Sequence, residues 1–202
     1  MRSNGPVGSI SKGIQPDWAF DMQGMSLSWR AKAEELDRMV WLGYAACRED
    51  TEEFRAYRAD PKQNALPSKP RTFWVTFFLA ATAIENLLKA NLVVEHPECI
   101  SKGRFQGKVI GKHNLLRIAE DAGIALNPDE RDFCELGSEA IRSFGRYPIG
   151  KSMASSPSRL RIGEYAFSTY QRLYDRLWQR IAARPWKNYS PKAGAADPDR
   201  SS

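Results

Sequence analysis

The chain has 202 residues, 42% hydrophobic and 11% aromatic, with a net charge of +6 at pH 7. That apolar content can offset chain entropy, which excludes a chain disordered throughout, and the length suits a single domain with a sizeable core. Three widely spaced cysteines, Cys47, Cys99 and Cys134, exclude a disulfide framework and a short-spaced zinc site, so the expectation is a reducing cytoplasm, no metal and no cofactor.

In chain order, residues 1–24 are rich in Gly, Ser and Pro and read as a flexible arm with no apolar signal region. From Trp29 the apolar residues Ala33, Leu36, Val40, Tyr44, Cys47 and Phe54 recur at helical spacing and predict a long amphipathic helix. Its other face carries Arg30, Lys32, Glu35, Asp37, Arg38, Glu49 and Glu53, and Pro61 ends it. A second helix opens at Pro70 and runs to about Val94, apolar on most sides through Phe73, Trp74, Phe77, Phe78, Ala81, Ile84, Leu87 and Leu88. Such a helix belongs at the centre of a bundle. Its unbroken apolar run ends at Ile84, short of the ~20 residues a membrane span needs, so no membrane association is expected. Glu85 and Lys89 stand four apart in the favoured order, a pair that contributes a few tenths of a kcal/mol if exposed.

His96 to Lys112 reads as a loop. A short helix follows from His113 to Ala122, with Leu115, Leu116, Ile118 and Ala119 inward and Gly123 as its left-handed stop. Asn127-Pro128-Asp129-Glu130 is a helix start: a cap, a first-turn proline, and a glutamate that reaches back. That helix turns Phe133, Leu136, Gly137, Ala140, Ile141 and Phe144 inward and stops at Gly145 and Pro148. The last helix buries Ile162, Ala166, Thr169, Tyr170, Leu173, Leu177 and Ile181 and closes at Pro185; residues 186–202 read as a disordered tail. Short connections favour antiparallel neighbours. The fold class is therefore all-α, an up-down antiparallel bundle of four main helices plus one short helix, over residues 25–185.

The basic residues are unevenly placed. Cys99 to Ala119 holds Lys102, Arg104, Lys108, Lys112 and Arg117 without an acid, and Ile141 to Gly163 holds Arg142, Arg146, Lys151, Arg159 and Arg161 without one. Both flank one helix, so they are either ordinary solvated surface or a joint face for phosphate or nucleic acid. Lys112, His113, Arg142, Arg146 and Tyr147 are the candidate anion-binding residues. His113 is either a capping or packing residue at a helix start or an acid, base or phosphate donor. Arg142 and Arg146, four apart, either grip an anion together or pair with Glu85 or Glu139. Tyr147 packs against the turn or stacks on a base. Gly150-Lys151-Ser152 lacks the upstream glycine and strand of a phosphate-binding loop.

Ala83-Ile84-Glu85-Asn86-Leu87-Leu88-Lys89-Ala90, then Lys112-His113-Asn114-Leu115-Leu116, then Leu126-Asn127-Pro128-Asp129-Glu130 and Gly145-Arg146-Tyr147-Pro148, resembles the HEPN superfamily of prokaryotic helical bundles. The last of these is similar to an uncharacterised bacterial branch with a Gly-Arg-Tyr-Pro motif. The resemblance implies a bundle that forms a homodimer, with roles in phage defence, toxin–antitoxin pairs or RNA processing. Catalytic members of the superfamily cleave RNA without metal through an Arg followed after four to six residues by a His. No Arg stands at that spacing before His96 or His113, and no His follows Arg142 or Arg146. The expectation is accordingly a non-catalytic binding module for RNA, nucleotide or a cognate partner protein. The alternative is a metal-independent ribonuclease with a non-standard site built from His113, Arg142 and Arg146.

Overall fold

The computed structural model describes residues 25–60, 72–101, 104–105, 112–143 and 164–184. Of residues 50, 51, 53, 54, 57, 58, 101, 104, 105 and 164 it describes the backbone alone. The arm 1–24, the tail 186–202, Pro70, Phe144, Ile162 and Pro185 lie outside the described residues.

Among the described residues, five α-helices make an all-α bundle: α1 (Ser26–Ala59), α2 (Phe73–Glu95), α3 (Leu115–Asp121), α4 (Pro128–Arg142) and α5 (Glu164–Ala182). The segment expected as a plain loop holds a short 3-10 turn, Pro97–Cys99, and two minimal strands, β1 (Ile100–Ser101) and β2 (Arg104–Phe105). These pair antiparallel, Ile100 with Phe105 and Ser101 with Arg104. A ladder of two residues per strand cannot form a layer, so the helices carry most of the core, joined by Ala122 and Ile124 after α3 and with Cys99 and Ile100 packed against it.

The apolar stripe of α1 faces inward as its spacing requires: Ala33 and Val40 are fully buried and Cys47 nearly so, with Trp29, Leu36 and Tyr44 packed on the core. Trp29 near the start of α1 lies under Lys89 near the end of α2, while Cys47 meets Thr76 near the start of α2. The two helices therefore run antiparallel. They also approach closely, because a Cβ on Gly43 would stand 2.3 Å from Thr76 Oγ1. Helix α5 runs antiparallel to α1 as well, with Phe167 against Tyr44 and Trp178 donating to Glu34 at 2.9 Å. Two residues of the expected solvent face of α1 turn out to face α5. Asp37 accepts from the Tyr170 hydroxyl at 2.7 Å, and the Arg30 guanidinium stacks 4.2 Å from the Trp178 ring. A solvated charge needs no such partners; these two sit at the seam, where the polar tips of aromatic residues must be satisfied.

Helix α2 is the centre. Fifteen of its residues, from Thr76 to Val93, are buried, among them Phe77, Ile84, Leu87 and Leu88 at full burial. By length and composition it would suffice to cross a membrane, but 78% of its most apolar stretch is covered by the other helices, the position of a core helix. Helix α4 packs against both α2 and α5, with Phe133 between Phe77 and Tyr170. Its start is the expected capping box: Asn127 Oδ1 accepts from the Glu130 N–H and Glu130 Oε2 accepts from the Asn127 N–H, each at 2.9 Å. The short α3 begins two residues later than its pattern suggests. Asn114, not His113, is its cap, accepting from the Arg117 N–H at 3.1 Å. Gly123 ends it at φ 61°, the left-handed stop that glycine takes without a Cβ penalty.

Candidate functional site

Lys112, His113 and Asn114 lead into α3 along the flank of α2, and all three are exposed. Leu115, next in the chain, is fully buried and anchors them. Its N–H donates to Ser138 Oγ of α4 at 2.8 Å, and that hydroxyl donates to the Cys134 carbonyl at 2.6 Å. One turn on, Arg142 Nε donates to the Ser138 carbonyl at 3.0 Å, and Arg142 is exposed at the end of α4. Ser138 thus ties the His113 segment to the helix end that presents Arg142. Lys112, His113 and Arg142 occupy neighbouring elements of one region. Arg146 and Tyr147 lie outside the described residues, as do Lys102, Lys108, Lys151, Arg159 and Arg161.

Beneath His113 is a buried ion pair. Glu85 Oε1 lies 2.5 Å from Lys89 Nζ and 2.9 Å from His113 Nδ1. The side chains of Glu85 and Lys89 are 5% and 7% exposed, whereas that of His113 is 45% exposed. The ammonium also sits 5.2 Å from the centroid of the Trp29 ring. Placing two charges in so apolar a setting is costly unless each finds a partner. Here the carboxylate has two, and the ammonium has a carboxylate on one side and an aromatic face on another. His113, half in water, closes the stack.

The structure decides two points that the sequence leaves open. The Glu85–Lys89 pair is buried, because α2 is covered nearly all round and leaves little solvent face for a charge. Glu85 is engaged by Lys89 and His113, and Arg142 bonds the Ser138 carbonyl. Arg117 also drops out of the expected basic face, since its guanidinium pairs with Glu120 at 2.8 Å and Asp121 at 3.2 Å. A signal for the buried stack did exist: a charged pair on a helix apolar on most sides has few places to go but inward.

At the C-terminal end of α2 lies a second ionic cluster. Glu95 at the end of α2 accepts from Arg184 and, at 2.9 Å, from Arg180. These hydrogen bonds, that from Arg184 first, hold the Glu95 carboxyl down at about 2. It joins helix ends and presents no histidine or nucleophile. Among the described residues no three His, Cys, Asp or Glu side chains gather in a way that would hold a metal ion. No family model, no curated protein and no solved structure matches the chain.

Proposed function

We propose that the protein is a HEPN-like binding module that engages RNA, a nucleotide or a cognate partner protein, as a homodimer in the cytoplasm, in phage defence or a toxin–antitoxin pair. The family reading rests on the order of its four motifs in the sequence. The binding reading rests on one observation: His113, half exposed, is seated on the buried Glu85–Lys89 pair, with the exposed cation Lys112 next to it in the chain and the exposed Arg142 joined to its segment through Ser138. Cations held on a rigid scaffold attract phosphates at little ordering cost. Met39, Leu42 and Val75, exposed at 52%, 67% and 57%, supply apolar surface of the kind a second copy would cover.

The test is fluorescence anisotropy of a labelled single-stranded RNA titrated with the full chain at two salt concentrations. Phosphate contacts from Lys112, Arg142 and Arg146 should make affinity fall roughly twentyfold between about 50 and about 200 mM salt. Alanine at Arg142 and Arg146 should flatten that dependence while helicity is kept. Absence of binding, or binding indifferent to salt, defeats the reading. The carboxylate behind His113 is an arrangement that orients a general base, which favours a metal-independent ribonuclease as the second reading. The same reaction mixtures decide between them: RNA recovered at full length marks a binding module, whereas shortening that His113→Ala abolishes marks a nuclease.

A further inference from the structure

The buried pair does more than neutralise itself. Glu85 Oε1 faces an ammonium at 2.5 Å, and a carboxylate in that position can only accept hydrogen bonds. The 2.9 Å contact to His113 Nδ1 therefore requires that nitrogen to be the donor. In neutral imidazole one ring nitrogen carries the proton and the other a lone pair, and the partner of one sets the state of the other. A proton on Nδ1 leaves Nε2 bare, on a side chain that is 45% exposed. The ring meets Glu85 of α2 with Lys89 behind it, Lys112 stands beside it in the chain, and Arg142 at the end of α4 is joined to its segment through Ser138. Of these, Glu85 is the carboxylate within hydrogen-bond distance of the ring. Lys89 is held in turn by Trp29 of α1, so the whole stack is braced by a second helix.

We infer that Glu85 and Lys89 are positioning residues that lock neutral His113 as the Nδ1–H tautomer, so that Nε2 accepts a hydrogen bond from a hydroxyl on the bound ligand. A phosphate oxygen offers no proton to such an atom; a ribose 2′-hydroxyl does, and it is the group that separates RNA from DNA. The phosphates then fall to Lys112 and Arg142. The ligand half of this inference rests on the RNA reading above, whereas the tautomer half does not.

Nitrogen-15 spectra of the histidine rings test the tautomer without any ligand. The chain has two histidines, so His96→Gln assigns the signals. In wild type at mildly alkaline pH, His113 should show a protonated Nδ1 and a bare Nε2. Glu85→Gln should return it toward the Nε2–H form that free imidazole prefers, a change that a merely structural ion pair would not produce. A wild-type spectrum with Nε2 protonated, or an even mixture, overturns the inference whether or not Glu85→Gln folds. For the ligand half, matched single-stranded RNA and DNA are titrated against wild type and His113→Ala. Wild type should favour RNA by about tenfold, the discrimination of about one net hydrogen bond. His113→Ala should bind both alike while keeping its salt dependence. Equal binding of both by wild type, or preference kept in His113→Ala, overturns the hydroxyl contact. No binding to either oligonucleotide defeats the RNA reading and the hydroxyl contact together, and the spectra still decide the positioning role.

Discussion

Two glutamates in this bundle are buried to the same degree and do opposite things. Glu130 is 5% exposed and Glu85 4%. Glu130 accepts from the Asn127 N–H and takes a two-pronged contact from Arg176, Nε to Oε1 at 3.2 Å and a terminal nitrogen to Oε2 at 2.7 Å. Each of those partners is scaffold: the first turn of α4 and the middle of α5. Glu85 is held by Lys89 one turn along its own helix and hands its remaining interaction to the half-exposed ring of His113. A carboxylate closed on scaffold groups fastens two helices. A carboxylate closed on a surface ring sets how that ring meets solvent. Neither burial nor the exposure of the partner distinguishes a fastener from a site, since the Arg176 and His113 side chains are 43% and 45% exposed; the partner's chemistry does, because a guanidinium only donates whereas an imidazole keeps a second ring nitrogen.

If that distinction holds, losing Glu130 should cost most. Glu130→Ala removes half of the capping box and the charged hydrogen bonds from Arg176, together about 2–4 kcal/mol. Urea denaturation should show a lower midpoint at unchanged slope, and a loss below about 1 kcal/mol would break the comparison.

Lys89→Met comes next. It leaves Glu85 buried with His113 as its remaining partner and should cost about 1–3 kcal/mol. The double change Glu85→Leu with Lys89→Met removes both charges, and apolar side chains of similar size should return stability to within about 1 kcal/mol of wild type. It should also abolish the fixed tautomer of His113. The matching double change at Glu130 and Arg176 should not recover, because the cap is lost with the carboxylate. Equal recovery at both sites would mean that Glu85 and Glu130 are the same kind of pair.

Glu95 is a third, partly exposed carboxylate and sharpens the comparison through pH. Its folded-state value is depressed to about 2 by Arg184 and Arg180, against an ordinary 4.5. A depressed carboxylate contributes stability that is fully present above the ordinary value and is lost as pH falls toward the folded one. The melting temperature should therefore drop between about pH 4.5 and about pH 2, and Glu95→Gln should make that drop shallower. A slope unchanged by the substitution would remove Glu95 as its cause.

The smallest effect concerns reactivity. Cys134 lies one turn after Glu130, and burial, aided by the Glu130 charge, pushes its thiol up to about 12. In the folded protein Cys134 should resist alkylation at neutral pH, while the half-buried Cys99, raised by a milder burial, should be labelled sooner. Mass spectrometry after timed labelling reads the order directly. Early labelling of Cys134 would show that the α4–α5 seam opens locally.

Much of this fold is written in local chemistry. The start of α4 follows from four consecutive residues, because a cap, a proline and a glutamate satisfy their own backbone donors within one turn. The stop at Gly123 follows from the lack of a Cβ. The inward stripes of α1, α4 and α5 follow from spacing, since apolar residues at helical period have one face to bury. The candidate site was legible only in part. His113, Lys112 and Arg142 stand out as residue types, yet Asn114, not His113, caps α3, because the amide side chain reaches the Arg117 N–H.

By itself, then, the amino-acid sequence determined that this chain forms helices, where two of them start or stop, and that α2 lies in the middle. What it left open was the company that charged groups keep. Glu85 and His113 are 28 residues apart, Asp37 and Tyr170 are 133 apart, and Glu130 and Arg176 are 46 apart. A helix period states which side of a helix is apolar; it does not state which helix will lie against that side. Only the packing of α1, α3 and α4 around α2 decided that an ordinary i, i+4 pair would be taken out of water, and a charge taken out of water must find its partner wherever the fold has placed one.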